Sequence, residues 1–306
     1  RITPGEWERR RGLRLRFVYR RTGPSLLVAE GRLNTKGQAV VSRSKTGRGK
    51  VTAPIFLLVP QVKLPKRLNL DRDAERMASI RDNLTRLGLG FERLPAVMGK
   101  DVPEWEKLVD LPAYAWRNRL DMPRAGEVGC YLSHLKAMET FLKTDAPWCV
   151  ILEDDVEVLP ACADVLRSLA EKDDWDLVKL FNFHSGLPVK KRELVGGHRL
   201  VAHLTRTTSS AAYVVNRRAA ETLLKSMRPI TEQVDHALDR PWETGLRTRG
   251  IRPMPVVLAP VAHTTSTIGY QDKKKGRPLG KAVKLFLSRA KKEISRFGYG
   301  LWDVMR

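Results

Sequence analysis

The sequence has few cysteines and no long apolar run. Its three cysteines, Cys130, Cys149 and Cys162, are odd in number and form no Cys-x-x-Cys pair, which argues against a disulfide framework and against a structural zinc site. No apolar stretch approaches the roughly 20 residues that a membrane-spanning helix requires. The arginine-rich segment 9–16 also lacks the apolar core of a signal peptide. These absences predict a cytoplasmic protein whose thiols are free and buried.

Acidic residues are scarce near both ends of the chain. Residues 1–50 hold 14 basic and 3 acidic side chains, and residues 271–306 hold 11 and 3, which gives net charges of +11 and +8. The 220 residues between them carry only +3 of the total of +22. Basic ends of this kind are typical either of solvated tails or of segments that bind an anionic partner.

Strand-like and helix-like patterns alternate between residues 53 and 270. Apolar runs predict strands at 54–59, 91–97, 148–155, 177–183 and 209–216. Helical spacing of apolar residues predicts helices at 73–87, 126–142, 161–171 and 217–227. This order predicts an α/β domain with a mostly parallel central sheet and right-handed crossovers.

The two basic ends differ in pattern. Residues 1–52 are predicted to be a poorly ordered extension or short strands, with alternation at 13–20 and an apolar run at 25–31 that suit a small hairpin. Residues 271–306 are predicted to form a basic amphipathic helix from 279 to about 297. Its apolar stripe either lies on an anionic membrane surface or packs on the central domain. The stripe consists of Leu279, Val283, Phe286, Ile294 and Phe297.

Three consecutive carboxylates, Glu153, Asp154 and Asp155, follow the apolar strand at 148–155. Mg²⁺ and Mn²⁺ prefer oxygen ligands, and carboxylates at the end of a strand leave room for phosphate oxygens and water. Because strand side chains alternate, Glu153 and Asp155 share one face and Asp154 points to the other. The triplet therefore predicts either a metal site that grips a diphosphate or an ordinary acidic turn on the surface.

Three blocks of sequence resemble glycosyltransferase family 25. They are NLDRDAERM at 69–77, GEVGCYLSHLKAM at 126–138 and VILEDDVEV at 150–158, and the resemblance extends over about 69–268. Members of this family include bacterial lipooligosaccharide galactosyltransferases and the galactosyltransferase domains that modify collagen. The resemblance implies a GT-A-like, Rossmann-type domain that binds a nucleotide sugar. It also implies an inverting, metal-dependent transfer of a hexose, usually galactose from UDP-galactose, with Mn²⁺ or Mg²⁺.

The resemblance also implies roles for residues near the donor. It places the nucleotide near Asn69, Asp71 and Arg72, with Arg76 assisting, since a guanidinium offers paired donors to phosphate. The alternative is that Asp71 and Asp73 cap a helix and Arg76 lies on a solvated face. Residues 60–68 depart from the family pattern, because relatives run straight from the first strand into the donor loop. Either an insertion follows the first strand, or that strand begins near residue 62.

The resemblance assigns the metal and the diphosphate of the donor mainly to the acidic triplet. Glu153 and Asp154 are expected at the donor, and Glu153, Asp155 and His263 at the metal, although His263 also suits a structural histidine. Ser133 and His134 match a Ser-His pair of the family, and their roles stay open.

An inverting transferase needs a base that takes the proton of the acceptor hydroxyl. Asp235 is the leading candidate because it matches an acidic position of the family near the start of a helix-like segment. Asp239 and Glu232 are the rivals, and a helix N-cap is the alternative role for Asp235.

Two other classes of function compete with a transferase. A nucleic-acid-binding protein suits the basic ends, but they lack interleaved aromatic residues and a recognisable binding motif. An inactive saccharide-binding relative is disfavoured by the intact triplet. The partners expected are a nucleotide-sugar donor, a saccharide or glycolipid acceptor of the lipopolysaccharide type, and the anionic inner-leaflet surface as a peripheral site, with no specific nucleic acid.

Overall fold

A computed structural model of the chain describes residues 15–20, 26–33, 39–44, 55–59, 70–118, 120–260 and 279–306. These residues belong to two compact units, Arg1–Thr52 and Ala53–Arg306. The first unit is an antiparallel sheet of the strands β1 (Leu15–Arg20), β2 (Leu26–Leu33) and β3 (Ala39–Ser44), in that order. β1 and β2 are the two strands that the sequence suggested as a hairpin, whereas β3 was not predicted.

The second unit is built around one eight-stranded sheet. Its strands are β4 (Ile55–Val59), β5 (Glu92–Pro95), β6 (Trp148–Glu153), β8 (Leu177–Lys179), β9 (Pro188–Glu193), β10 (Arg199–His203), β11 (Ala212–Asn216) and β12 (Thr248–Arg252). Two short strands, β7 (Val156–Val158) and β13 (Val256–Leu258), form a separate antiparallel ribbon. The helices are α1 (Leu70–Arg86), α2 (Leu111–Arg117), α3 (Ala125–Leu142), α4 (Cys162–Leu169), α5 (Arg217–Ser226), α6 (Val234–Ala237), α7 (Pro241–Thr244) and α8 (Leu279–Met305).

The strand order of the large sheet is β5-β4-β6-β11-β8-β12-β10-β9. The pairs β4–β5, β4–β6 and β8–β12 are parallel, and the other four neighbouring pairs are antiparallel. The prediction of a mostly parallel sheet is therefore wrong, although the α/β class is confirmed. The reason is that β11 runs antiparallel to both of its neighbours, and β9 and β10 add an antiparallel hairpin. An apolar run signals a buried strand but not its direction.

The side chains of β6 alternate between two hydrophobic clusters. Cys149 and Ile151 belong to the cluster that contains the buried residues of α3 and α5, whereas Val150 and Leu152 belong to the cluster with those of α1 and α4. This alternation has the period of a strand. Burial on both faces explains why β6 is continuously apolar. Full burial of one such aliphatic side chain contributes roughly 2 kcal/mol to stability.

β4 pairs with both β5 and β6. Residues 55–59 are therefore the first strand of this sheet, as the apolar run predicted. This result favours an insertion after the strand over a strand that begins near residue 62. Residues 60–69, which include Asn69, lie outside the described residues.

Helix α3 approaches the preceding segment closely at a glycine. A side-chain carbon on Gly129 would lie 2.5 Å from the carbonyl oxygen of Val97. Next to this contact, the Ser133 hydroxyl accepts a hydrogen bond from the Val97 N–H (2.8 Å) and donates to the Gly129 carbonyl (2.7 Å). Ser133 thus positions α3, the helix that carries His134.

Helix α8 is longer than predicted, and one of its faces packs on the rest of the second unit. Leu285 is buried, and Arg249 forms a buried ion pair with Asp303. The Lys191 ammonium donates to the carbonyl oxygens of Asp303 and Val304, each at 3.1 Å. Across the described segments, no helix is both long enough and apolar enough to cross a membrane.

Candidate active site

The acidic triplet lies where β6 ends. β6 stops at Glu153, and Asp154 and Asp155 form the turn into β7, so the strand is two residues shorter than predicted. The backbone holds this turn in place from two sides. The Glu153 N–H donates to the Ala211 carbonyl (2.8 Å), and the Asp155 carbonyl accepts from the Ala259 N–H (2.9 Å).

Glu153 is held by polar side chains from α3 and from the segment before β11. Its Oε1 atom accepts a hydrogen bond from the Ser210 hydroxyl (2.6 Å) and lies 3.4 Å from His134 Nε2. Burial alone would raise the pKa of Glu153, but the hydrogen bond and charge of His134 and the bond from Ser210 lower it below its ordinary value. The site therefore holds Glu153 as a carboxylate.

Arg76 on α1 joins the other two acids. Its Nη2 atom lies 2.5 Å from Asp154 Oδ1 and 3.2 Å from Asp155 Oδ2. Burial raises the pKa of Asp154 to about 7, more than the charge of Arg76 lowers it. Burial and the charge of Glu153 raise the pKa of Asp155 to about 6. Arg76 thus bridges buried Asp154 and half-buried Asp155, and it does not lie on a solvated face.

Two oxygens of the triplet are available for a cation. Asp154 Oδ2 and Asp155 Oδ1 are buried and have no hydrogen-bond partner among the described residues. Buried acceptors of this kind are costly unless they are satisfied. Carboxylate oxygens are the ligands that Mg²⁺ and Mn²⁺ prefer. The residues present therefore fit a hard divalent cation.

A softer donor set includes Glu153 of the triplet. Ligand atoms of Cys130, His134 and Glu153 lie within 4.8 Å of one another. Burial and the charges of Glu153, Asp235 and Asp155 raise the pKa of the Cys130 thiol well above its ordinary value, which disfavours the thiolate that a metal would need. We therefore assign His134 a positioning role toward Glu153.

The Tyr213 hydroxyl lies 2.8 Å from His134 Nδ1. When the hydroxyl donates to Nδ1, the ring hydrogen sits on Nε2, the nitrogen that faces Glu153. Both side chains are fully buried, so this chain of contacts is shielded from water. It fixes the orientation of the first carboxylate of the triplet.

The remaining residues predicted at the donor and metal are only partly described. Asp71 and Arg72 lie in the first turn of α1, where only the backbone is described, and His263 lies outside the described residues, as does Asn69. Their assignments therefore stay predictions.

Asp235 is the second residue of α6. The N-cap of this helix is Gln233, so the N-cap alternative for Asp235 is wrong. Its Oδ1 atom accepts a hydrogen bond from the His236 N–H (2.9 Å), and its side chain lines a cavity of about 390 Å³. Asp235 is thus one of the residues that line a cavity next to α8.

The two rival acids are engaged in buried ion pairs. Glu232 Oε1 lies 2.8 Å from Arg240 Nε, and Glu232 Oε2 lies 2.5 Å from Lys292 Nζ. Burial alone would raise the pKa of Glu232, but the charges of these two cations lower it. Asp239 accepts a hydrogen bond from the Thr207 hydroxyl (2.7 Å) and lies 3.3 Å from Arg296. Of the three candidate bases, Asp235 is the one that lines the cavity.

Sequence reasoning missed several polar residues at this edge of the sheet. Lys179 on β8 is buried, donates to the Ser209 carbonyl (3.0 Å), and has its pKa lowered by that burial. Asn182 is 4% exposed, and neither polar atom of its amide has a hydrogen-bond partner among the described residues. The sequence did contain a signal for them, because Lys179 and Asn182 interrupt the apolar run 177–183. Polar residues are seldom buried in a strand unless they have a structural or functional role.

Comparison with known proteins places the chain among the glycosyltransferases. Residues 68–238 match the profile of glycosyltransferase family 25 (LPS biosynthesis protein). This match covers more than half of the chain, which therefore belongs to that family. All three blocks of the resemblance, together with the triplet and Asp235, lie inside the matched region.

The curated relatives come from insects and are longer proteins. A glycosyltransferase 25 family member of Anopheles gambiae is 26% identical over 224 residues, which cover 66% of this chain and 37% of the relative. One from Aedes aegypti is 27% identical over 224 residues, with 66% and 36% covered. One from Drosophila pseudoobscura is 23% identical over 253 residues, with 72% and 40% covered. The chain thus spans less than half the length of these relatives.

Two further comparisons are less informative. Residues 1–86 match a second profile, that of a family of unknown function, which overlaps the first match at residues 68–86. A solved glycosyltransferase involved in the glycosylation of the major capsid of PBCV-1 is 14% identical, with a TM-score of 0.30. It covers 62% of this chain and 69% of that one. A likeness at this level does not define a GT-A fold.

Proposed function

We propose that this chain is a metal-dependent inverting transferase that moves galactose from UDP-galactose onto a lipooligosaccharide, lipopolysaccharide or related glycan. The observation that carries the proposal is the triplet at the end of β6, where Arg76 pairs with Asp154 and Asp155 and two buried carboxylate oxygens have no partner among the described residues. The family match supports the transfer of a sugar. The choice of galactose and of this acceptor rests on the resemblance alone.

Glu153 and Asp155, with His263, would hold Mn²⁺ or Mg²⁺. When bound there, the cation would neutralise the charge that develops on the diphosphate of the leaving nucleotide. Arg76 holds Asp154 and Asp155 in fixed positions, and Ser210 and His134 do the same for Glu153. Asn69, Asp71 and Arg72 would bind the nucleotide at the start of α1.

Asp235 would act as the general base. Its carboxylate lines the cavity and is oriented by the His236 N–H. An acceptor hydroxyl in this cavity would give its proton to Asp235 while its oxygen attacks the anomeric carbon from the face opposite the nucleotide. The carbon–oxygen bond to the diphosphate breaks in the same step, which inverts the configuration.

The proposed enzyme would also work at an anionic membrane surface, the inner leaflet in a bacterial cell. Four residues of the predicted apolar stripe, Val283, Phe286, Ile294 and Phe297, are exposed on α8. Lys284 and Lys291 lie on the same helix. An apolar stripe with basic neighbours suits the headgroup layer of anionic lipids.

The metal and donor are tested together by UDP release. Full-length protein with UDP-galactose and Mn²⁺ should release UDP, and EDTA should stop the release. Glu153→Gln and Asp155→Asn should each lose Mn²⁺-dependent release, because an amide keeps the shape but lacks the charge that binds a hard cation. Arg167→Ala on α4, which removes an exposed partner of Asp164, is the control.

A second measurement separates the metal from the donor. Mn²⁺ titration followed by electron paramagnetic resonance should show a tight site in the wild type that both amide variants lose. Wild-type release and wild-type Mn²⁺ binding in these variants would remove the triplet from the mechanism. Release from UDP-glucose but not from UDP-galactose would leave the transferase intact and refute the choice of galactose.

A further inference from the structure

Helix α3 brings a thiol and an imidazole to the end of β6. Cys130 and His134 are four positions apart on α3, so their side chains lie on the same face of the helix. This face meets Glu153, the last residue of β6. One ligand atom of each of the three residues lies within 4.8 Å of the other two. Within the part of the chain that the structure describes, no other group of three histidine, cysteine or acidic residues brings its ligand atoms so close together.

The His134 ring directs a poorly satisfied nitrogen at Glu153. The side chain of His134 is fully buried, and its Nε2 atom has no well-formed hydrogen bond to any described residue. Nε2 lies 3.4 Å from Glu153 Oε1, whereas a good N–H···O bond measures about 2.9 Å. A buried nitrogen with so weak a contact carries a free-energy cost. A cation between the three ligand atoms would remove that cost.

Hydroxyl groups support two of the three ligand residues. The Tyr213 hydroxyl lies 2.8 Å from His134 Nδ1, and the Ser210 hydroxyl donates to Glu153 Oε1 (2.6 Å). A tyrosine hydroxyl can also accept the hydrogen of Nδ1, which leaves the lone pair of Nε2 free for a metal. Histidines that bind metals usually have such a partner at their second nitrogen. The Glu153 side chain is 26% exposed, so a cation can reach the cluster from solvent.

The donor atoms decide which cation fits this cluster. One sulfur, one imidazole nitrogen and one carboxylate oxygen are ligands typical of Zn²⁺, which often keeps a water in its fourth position. Mn²⁺ and Mg²⁺ prefer oxygen ligands, and sites of nitrogen, oxygen and sulfur bind Zn²⁺ more tightly than Mn²⁺. Because Cys130 must lose its proton to become a ligand, only a cation with a high affinity for thiolate can bind there. The cluster therefore selects Zn²⁺ over the hard cation of the transferase.

We propose that Cys130, His134 and Glu153 form a zinc site. Zinc binding breaks the S–H bond of Cys130, forms a Zn–S bond and releases the thiol proton to water. The ring hydrogen of His134 then lies on Nδ1, which donates it to the Tyr213 hydroxyl oxygen. Glu153 is also a proposed ligand of Mn²⁺, so zinc competes with Mn²⁺ for this carboxylate and inhibits the transferase. The inhibition rests on the proposed function, whereas the binding of zinc does not.

Co²⁺ is a spectroscopic probe of this site. It can take the place of Zn²⁺, and a bond between Co²⁺ and a thiolate adds an intense charge-transfer band in the near ultraviolet. The full-length, reduced protein with one equivalent of Co²⁺ should show this band, and added Zn²⁺ should remove it because Zn²⁺ binds such ligands more tightly. Cys130→Ala should abolish the band. Cys162→Ala, at another buried free cysteine on α4, is the matched control and should keep it.

Isothermal titration calorimetry with Zn²⁺ measures the contribution of the thiol. Loss of a residue that only supports a metal ligand weakens binding roughly 10- to 100-fold, so loss of a ligand in Cys130→Ala should weaken it by at least about 100-fold. Cys162→Ala should bind Zn²⁺ as the wild type does. Circular dichroism checks that the variants fold, and Cys130→Ser replaces the alanine variant if that one does not. A wild type without the sulfur band, or a folded Cys130 variant that binds Zn²⁺ as tightly as the wild type, overturns the inference.

UDP release keeps the zinc site and the proposed function apart. Zn²⁺ should inhibit Mn²⁺-dependent release from UDP-galactose, and more Mn²⁺ should relieve the inhibition. Cys130→Ala should need at least about tenfold more Zn²⁺ for half inhibition, relative to its own rate without zinc. Release that is unchanged while zinc occupies the site would refute the shared use of Glu153. If Zn²⁺ binds through Cys130 but no nucleotide sugar yields UDP, the proposed function fails and the zinc site stands.

Discussion

At the scale of single residues, the site depends on how Glu153 is held. Its Oε1 atom meets the Ser210 hydroxyl at 2.6 Å and His134 Nε2 at 3.4 Å. On the other side of the His134 ring, the Tyr213 hydroxyl lies 2.8 Å from Nδ1. A carboxylate whose orientation is already fixed by such contacts loses less conformational freedom when it binds a cation.

His134→Ala should weaken the use of Mn²⁺ without unfolding the protein. We expect the KM for Mn²⁺ in UDP release to rise roughly 10- to 100-fold, the range seen when a residue that supports a metal ligand is lost. His134→Gln, which keeps a donor near Glu153, should recover part of the loss. A purely structural role would lower thermal stability in both variants and leave the KM for Mn²⁺ unchanged.

Asp235→Asn should lower kcat and leave the donor KM nearly constant, because the proton moves only in the transition state. A general base is typically worth about 10²- to 10⁴-fold in rate. Steady-state transfer to a saccharide acceptor measures both constants. Thermal unfolding of the variant is the control, because a folding defect would also lower kcat.

Asp239→Asn provides the contrast at the rival position. Asp239 is buried against Thr207 and Arg296, so the amide should remove a buried charge partner of Arg296 and destabilise the protein by about 3 kcal/mol. Urea unfolding measures that loss. A kcat loss under tenfold in Asp235→Asn, with a large loss in a stable Asp239→Asn, would move the base to Asp239.

At the scale of elements, helix α8 has two faces with different roles. One face is tied to the second unit by the pairs Lys292–Glu232 and Arg249–Asp303. The other face leaves Phe286 70% and Ile294 74% exposed. The sequence allowed two interpretations of the apolar stripe of α8: it lies on a membrane surface, or it packs on the central domain. The helix packs on the second unit, but four members of its predicted stripe do not take part in that packing.

Because α8 anchors residues next to Asp235, its deletion would disturb the site, and point changes are the sharper test. Phe286→Ser with Ile294→Ser should reduce sedimentation with vesicles of phosphatidylcholine and phosphatidylglycerol roughly tenfold, since buried apolar area adds to the attraction between Lys or Arg and anionic lipid. UDP release without vesicles should not change.

Val195→Ser, at a half-exposed apolar residue outside α8, is the matched control for this experiment. Vesicle binding by the double variant at the wild-type level in low salt would mean that the stripe does not meet a membrane. Equal binding to vesicles of phosphatidylcholine alone would contradict the charge part of the proposal.

At the scale of the whole molecule, Asp176 joins distant parts of the large sheet. It precedes β8 and is fully buried, and it accepts hydrogen bonds from Arg247 (2.9 Å), Arg218 (3.0 Å) and Asn216 (3.1 Å). Burial alone would raise its pKa, but the hydrogen bonds from Arg247 and Asn216 lower it below the ordinary value. The folded state therefore prefers the charged form of Asp176.

The sign of the pH effect follows from this lowered pKa. The contribution of Asp176 to stability is present above about pH 4, the ordinary pKa of aspartate, and is lost as the pH falls through the lower pKa of the folded state. Asp176→Asn should reduce the free energy of unfolding by about 3 kcal/mol at pH 7 and by less at pH 3. Urea unfolding at both values measures this difference.

Asp164→Asn is the control for the same experiment, because Asp164 is exposed and pairs only with its helix neighbour Arg167 among the contacts described. We expect a change within about 0.5 kcal/mol there. A destabilisation by Asp176→Asn that is equal at the two pH values would show that packing, and not the charge, is what Asp176 contributes.

Prediction from sequence worked best where local pattern and burial agree. α3 was predicted within one residue, and β6 was recognised by its apolar run and its three terminal acids. β9 was missed because none of its residues is buried and it carries Lys190, Lys191 and Arg192, so its sequence shows no apolar alternation. The direction of β11 was missed because its pattern is the same in a parallel and an antiparallel sheet.

The sequence by itself determined the family, the α/β class and the acidic triplet, because these depend on residue types and on spacings within one segment. Only the tertiary structure decided how the triplet is completed. Arg76 meets Asp154 across 78 positions of sequence, and Asp235 enters the cavity beside α8 because Glu232 and Asp239 on either side of it are held by cations of that helix. Such contacts form between elements that are distant in sequence, and no local period records which residues will meet.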